Sequence, residues 1–504
     1  MKNTKENIAW FWQNAERILI VTFFLTFTLN IRKVFLTPHS FLNGEFNEYM
    51  TMSFSWADLL MITTILIYTI KYISSQLSAL PHSETIPSNK YNSKSIHSSL
   101  TNVSRETFYL LVFLAWIGLS IFWSQYRPIA VYRFFTFIEI VLFAIVATKS
   151  LNNTKWLKIA FFAVIINGLF QSLLGIAQFI HNESLGLRIL GESIIGSNIE
   201  GVAKIIINGE KHIRAYGTFP HPNILAGFLL VPLFIIIGAL LSRKLSYLGK
   251  QRTRAEPNLS DTLTQDIPSA FSSAEEKKQE NVSHETFLEF IPRWALFTIL
   301  IITGLGFLLT FSRSAFLGLF IGLVILFARI SYMRSSRRIL KNNFKLSATS
   351  IIALMFITIL MLTNTSFFSN QSLQERNLYQ NVSYETILKH PLAGVGIGQF
   401  VISEYQNYPN LESWQYQPVH NIYLLVFSEL GIIGLTSFVL FLAIFLYLKS
   451  RGVQKYDRLT YLLFCCIVFS FLYISFFDHY FWDIKLGTII FALPFIIMCV
   501  TMKK

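Results

Sequence analysis

The sequence predicts an all-α polytopic membrane protein of about twelve transmembrane helices, with a large extracytoplasmic loop between spans 9 and 10. Composition is the first observation behind this. The 504 residues are 53% hydrophobic, include 48 Phe and are only 14% charged, more apolar surface than one soluble core can bury. The second is a series of apolar runs of about 20 residues, each long enough to cross a hydrocarbon layer of roughly 30 Å as a helix. Helices satisfy their own backbone hydrogen bonds there. The third is the placement of Lys and Arg, most of which fall in alternate connections, as the positive-inside rule requires.

The runs lie at 17–36, 56–74, 107–123, 128–148, 156–181, 222–242, 293–311, 314–333, 346–364, 420–448, 458–477 and 481–501. The first begins near Arg17, too late and too long for a cleaved signal peptide, and no small-residue cleavage site follows it. It reads as a retained span, which puts both termini in the cytoplasm. The basic clusters Arg243–Arg254, Arg334–Lys345 and Lys449–Arg458 each adjoin a span end, where they fix topology and meet lipid headgroups. A net charge of +14 could serve nucleic acid only if gathered on one soluble face; scattered in this way, it excludes that partner.

Two cytoplasmic connections, 75–105 and 243–290, are rich in Ser, Thr, Asn, Gln and Lys; they lack the apolar periodicity needed to fold and are expected to be disordered. The extracytoplasmic segments 181–220 and 364–419 carry glycines, aromatics and isolated charges instead, so function is expected on that face. In the second, Ser383 can cap a short helix with Tyr384, Ile387 and Leu388 on one side, stopped by Pro391. Cys465, Cys466 and Cys499 all fall inside apolar runs, as packing residues rather than a metal or disulfide pattern. There is no fixed-period repeat and no inverted pair of broken helices of the transporter kind.

Within QPVHNIYLLVFSELGIIGL, His420 opens the tenth run directly after a long polar loop. It suits an interfacial side chain with its polar edge in water, and equally a general base, since an ordinary pKa near 6.5 lets it take a hydroxyl proton at neutral pH. Glu429 lies nine residues on, about 900° of helical turn and so the opposite face; it reads as structural. Arg313, in LLTFSRSAFLG, sits between two spans on the extracytoplasmic side, where a topology arginine does not belong. Arg214, in RAYGTFPHPNILAGF, stands on that face too, a few residues before Pro222 at a favoured first-turn position. Singly, each could be a solvated loop residue. Together with His420 they point to an anion, because guanidinium forks bind phosphate bidentately, and a diphosphate at the membrane surface becomes a concrete expectation. Arg133 lies one turn inside the fourth span and reads as an auxiliary anion contact. Glu139, six residues deeper and on a different helical face, reads as structural.

Gly394–Phe400, GVGIGQF, mimics a nucleotide loop but has neither a preceding βαβ strand nor a Walker lysine; it reads as a tight turn. Extracytoplasmic aspartates are restricted to Asp58, Asp478 and Asp483, with no Asp-x-Asp pair, and His479 beside Asp478 is the nearest approach to a metal cluster. A divalent-ion site is disfavoured.

Four motifs in order, RAYGTFPHPNILAGF, TFSRSAFLGLFIGL, KHPLAGVGIGQF and VHNIYLLVFSELGIIGL, resemble the O-antigen ligase and O-antigen polymerase superfamily of bacterial envelope enzymes. The resemblance covers roughly residues 110–500. It implies a bacterial plasma-membrane enzyme whose 364–419 loop covers the active site. It also implies cofactor-free, metal-independent transfer of a glycan from undecaprenyl diphosphate to an acceptor hydroxyl on a lipid or glycan. The histidine of its HN motif, the expected base, falls on His420. The arginine before Gly-x-Phe-x-x-Pro-Asn falls on Arg214 and the Ser-Arg arginine on Arg313, both expected to hold the diphosphate; Arg133 is a looser correspondence. Ligase and polymerase remain open at this level. A flippase or transporter of the same lipid is the alternative of another class, and it predicts a charged path that the spans, with Glu139 as main example, do not suggest.

Overall fold

The computed structural model describes residues 2–78, 104–255, 288, 290–332, 370–452 and 458–501. It is a mostly helical, polytopic membrane protein. The helices are α1 (Lys2–Thr26), α2 (Trp56–Ser78), α3 (Arg105–Ser120), α4 (Arg127–Ser150), α5 (Thr154–His181), α6 (Pro222–Ala255), α7 (Arg293–Leu308) and α8 (Arg313–Tyr332). They continue with α9 (Asn370–Lys389), α10 (Phe400–Asn407), α11 (Ile422–Gly452), α12 (Arg458–Ile474), the single turn α13 (Tyr480–Asp483) and α14 (Lys485–Thr501). Six stretches are long and apolar enough to cross a membrane: Trp56–Ser78, Arg127–Ser150, Thr154–His181, Pro222–Arg243, Arg313–Ile330 and Ile422–Arg451. Shorter apolar helices at Arg293–Leu308, Leu459–Ile474 and Lys485–Thr501 pack among them.

The first expected span is corrected. The helix there runs from Lys2 only to Thr26, and Arg32–Phe35 forms strand β1. β1 pairs antiparallel with β4 (Met52–Ser55), Arg32 opposite Ser55 and Phe35 opposite Met52. Between them β2 (Phe41–Leu42) pairs with β3 (Glu45–Phe46), so the apolar run past Thr26 supplies a small surface sheet rather than more helix. The expected ninth span, 346–364, lies outside the described residues. Helix also extends beyond the limits expected for the two polar connections, to Ser78 and to Ala255; most of 75–105 and 243–290 lies outside the described residues.

Hydrogen bonds between connections bring the ends of the helices together at one end of the bundle. Ala215 N donates to Leu309 O at 2.9 Å and Ile422 N to Ser475 O at 2.8 Å. Asn47 Nδ2 donates to Tyr416 O at 2.9 Å, and Tyr126 N to Gln399 Oε1 at 2.7 Å. Some buried polar groups between helices are bonded to one another, which offsets the cost of a low-dielectric interior. Thr28 Oγ1, Asn167, Gln171 and Thr218 form one linked set across α5 and its neighbours. Glu139 is likewise embedded in a charged group, beside Asp58 and Lys485, with Lys485 Nζ 2.7 Å from Asp58 Oδ1.

The expected short helix is the end of a longer one. α9 spans 20 residues, and Ser383 is buried within it, its hydroxyl 2.8 Å from that of Ser428, rather than capping its start. Tyr384 and Leu388 face outward, while Tyr379, Val382 and Thr386 pack inward. The helix does end at Lys389, two residues before Pro391.

Gly394, Gly396 and Gly398 all have positive φ, so the GVGIGQF stretch is a tight turn. Its Val395 and Gly396 amides donate to Ser428 O and Glu429 O at 3.0 and 2.7 Å. That turn meets a break in α11 at Gly431, where φ is 67° and ψ −172°. A Cβ at Gly431 would stand 2.1 Å from Leu392 O, so only glycine fits.

Candidate active site

His420 lies before α11 rather than on it. Asn421 caps the helix, its side chain accepting from Leu424 N at 3.1 Å and its carbonyl from Leu425 N at 2.9 Å, so the histidine sits at the positive end of the helix. Its ring stacks on Tyr379 of α9, centroids 5.7 Å apart and planes within 6°, and Nδ1 is buried. Burial holds the imidazole well below its usual pKa, reinforced mainly by His479 and Arg376 and opposed by the Pro418 backbone. The imidazole is thereby neutral, the form that can accept a proton, although the same neighbours lower its proton affinity.

Arg214 is half-buried at the α5–α6 connection. Its Nε donates to Thr310 O at 2.5 Å and its Nη2 to Asn223 Oδ1 at 2.6 Å. Asn223 Nδ2 in turn donates to Asp478 Oδ1 at 3.0 Å, and Ser314 Oγ donates to Asp478 Oδ2 at 2.6 Å. Asp478 therefore joins the start of α6, the start of α8 and the α12–α14 connection. Burial lowers the Arg214 pKa to about 10, with Tyr216 and Asp478 opposing and Arg313 adding to the fall; the guanidinium stays charged at neutral pH.

Arg313 is the first residue of α8, reached through a turn in which Phe311 takes φ of 48°. It is an electrostatic neighbour of Arg214 and of Arg376. Arg376, on α9, also acts on His420, His479 and His221. The expected base and the two expected arginines thus share one region, and α9 adds a third cation that the sequence reading did not single out. The signal was there: Arg376 is another arginine in the segment expected to be extracytoplasmic, where the charge rule expects few. Burial, then Arg214, His479 and Arg376, lowers the His221 pKa to about 3, so this ring is neutral too.

Arg133 stands at the other side of His479. Its Nη1 donates to the Asp483 carbonyl, and it lines a polar cleft with Tyr49, Glu48 and Lys485. Glu429 does not orient His420: its Oε2 accepts from Trp482 Nε1 at 2.8 Å, in keeping with a structural role. Sequence reasoning passed over His479 as anything more than a weak metal candidate. In the fold its ring edge meets His420, centroids 4.8 Å apart at 79°, and its Nδ1 lies 2.9 and 2.8 Å from the Asp483 carboxylate oxygens. Among the described residues no group of three or more His, Cys, Asp and Glu is arranged to hold a metal ion.

A neutral histidine facing clustered guanidinium groups at one end of a membrane bundle can take a proton while negative charge gathers beside it. Residues 298–439 match the O-antigen ligase family model. That stretch holds three of the four motifs that carried the resemblance, RAYGTFPHPNILAGF lying before it, and it makes the chain similar to envelope polysaccharide enzymes of the ligase and polymerase type. No curated protein matches the chain. The O-antigen ligase segment contains Arg313, Arg376, the Gly394–Phe400 turn and His420; Arg133, Arg214, His479 and Asp483 lie outside it.

Proposed function

We propose that the protein is a membrane glycosyltransferase that moves a glycan from undecaprenyl diphosphate to an acceptor hydroxyl at the outer face of the bacterial plasma membrane. The observation that carries this reading is the gathering of a neutral His420 with Arg214, Arg313 and Arg376. His420 takes the proton as the acceptor O–H bond breaks. The oxygen bonds to the anomeric carbon, and the bond to the diphosphate breaks with its electron pair leaving on phosphate oxygen. Arg214, Arg313 and Arg376 stabilise that departing charge, an electrostatic contribution of about 3–4 kcal/mol per well-placed donor. Arg133 is the fourth anion contact, on the Asp483 side. Diphosphate leaves without a general acid, so the mechanism needs neither a carboxylate pair nor a metal.

A lipid-borne donor also needs an apolar place for its chain. Between α3, α4, α11 and α14 lies an apolar cavity of about 340 Å³, walled by Phe113, Phe137, Phe438, Phe491 and Trp482 among others. Trp482 separates it from Asp483 and Arg133. The topology that fits is twelve spans with the 364–419 segment over the site and both termini cytoplasmic.

The test uses membrane vesicles from a strain lacking the protein, which hold the accumulated donor together with its acceptor. Wild-type protein restores transfer, and His420→Ala lowers it about 10²–10⁴-fold. Undiminished transfer by correctly inserted His420→Ala overturns the base assignment. A gel of the deletion strain's surface glycan separates the two acceptors: long lipid-linked chains left unattached mark a ligase, single repeats a polymerase. Movement of lipid across a bilayer with no diphosphate release marks a transporter instead.

A further inference from the structure

His479 belongs to the connection between α12 and α14, outside the O-antigen ligase segment. The single turn α13 brings Asp483 back beneath it, four residues on, so that both carboxylate oxygens lie within 2.9 Å of Nδ1. Both residues are buried. Asp483 is itself fixed, its backbone carbonyl accepting from Arg133 and its own amide donating to His479 O at 3.5 Å. With Nδ1 engaged, Nε2 is the nitrogen left for other contacts. The ring edge faces His420 on one side and Tyr49 on another, the latter at 5.6 Å and 71°.

We propose that His420 and His479 act as one two-histidine unit, in which Asp483 fixes His479 and His479 sets the form in which His420 meets the acceptor hydroxyl. This rests on the reading of His420 as proton acceptor. The groups around the pair are accounted for as follows. His420 faces Tyr379 and Arg376 from α9, His221 from the start of α6, and His479. His479 faces Asp483 and Asp478 from its own connection, Arg376 from α9, Tyr49 from the surface sheet region, and the rings of His221 and His420. Burial by itself would disfavour the imidazolium at His479, but Asp483, by charge and hydrogen bond, and Asp478 outweigh it and raise its pKa. A positive charge held there repels a second one on His420, one ring away. His420 therefore stays neutral, and once it has taken the acceptor's proton the same repulsion favours giving that proton up to water. His479 is a positioning residue on this account, since it acts through His420.

The experiment measures transfer in the deletion-strain vesicles between pH 5 and 8.5, with full-length variants matched for inserted amount. His479→Gln and Asp483→Asn are each expected to move the acid limb of the rate upward by about one pH unit or more, while the rate near pH 8 stays within about tenfold of wild type. His479→Lys, which restores a fixed positive charge without the ring, is expected to return the limb toward its wild-type position. An acid limb that does not move, with the rate merely lowered at every pH, overturns the proposal. If His479→Gln does not insert, Asp483→Asn reads the same limb by itself. Failure of the underlying reading looks different: His420→Ala would then retain transfer whatever the His479 variants do.

Discussion

Arg376 is where the residue scale has most to teach. Three groups of the proposed site, His420, Arg313 and Arg376, come from separate stretches of the chain, and the charge of Arg376 acts on both of the others. Arg376→Gln is expected to lower transfer by about 10–10³-fold if the guanidinium stabilises charge on the leaving diphosphate. Arg376→Lys is expected to recover only part of that, because a point charge lacks the bidentate fork; rates for both variants in the deletion-strain vesicles check this. Glu404, on α10, is a quieter case. Burial lifts its carboxyl to about 9, against a backbone contact from Gln417, so it is neutral near pH 7. The native state then binds more protons than the unfolded state between pH 4.5 and 9, and stability falls as pH rises through that window. Glu404→Gln is expected to melt higher than wild type at pH 7 to 8, with the gap closing as pH falls toward 4.5; thermal unfolding followed across pH tests the sign.

At the scale of elements, the junction between the glycine turn and α11 is the clearest case of sequence dictating shape. Gly394 faces the backbone of Glu429 and Leu430 while Gly431 faces that of Leu392 and Ala393, and a Cβ on Gly394 would stand 2.3 Å from Glu429 C. Gly431→Ala is expected to disrupt the break in α11 and the seating of the 391–398 turn against it, because positive φ costs about 1–3 kcal/mol for a side chain and the clash with Leu392 adds to it. A lowered melting temperature together with lost transfer is the expected readout; an unchanged melting temperature would show the break to be dispensable. The charged group between α2, α4 and α14 makes a second prediction. Asp58 is 1% exposed and held by Lys485 and by Ser55, whose amide donates to Oδ2 at 2.6 Å. Lys485→Met leaves that buried carboxylate without its cation, a loss of about 3–5 kcal/mol, which a thermal-stability comparison with Asp58→Asn/Lys485→Met would partly restore.

For the whole molecule, the question is which side of the membrane carries the site. All connections that meet His420, Arg214 and Arg313 lie at one end of the bundle, while Lys71–Glu16 and Lys449–Glu106 pairs occupy regions near other helix termini. A reporter fused near Ser260 is expected to be active in the cytoplasm and one near Tyr408 outside it. The reverse result would put the proposed chemistry on the wrong face for an extracytoplasmic glycan.

The polytopic helical class and the turn at Gly394–Phe400 were legible in the sequence itself, which also singled out His420, Arg214 and Arg313, three residues that the fold brings to one region. Hydrophobic run length, glycine placement and arginines that violate the charge rule are local signals, readable without knowing what packs against what. The end of α1 at Thr26, the full length of α9, and the partners of Arg133 and Glu139 were not legible, since an apolar run does not say where a sheet will replace a helix. Nor did helical phase along one span reveal His420's companions: it removed Glu429 and offered nothing in its place. Only the tertiary structure, by folding α9 and the α12–α14 connection against the start of α11, set Tyr379, Arg376 and His479 around that histidine. The physical reason is that proton affinity and charge stabilisation depend on distance in space and on burial, and neither is a property of neighbours along the chain.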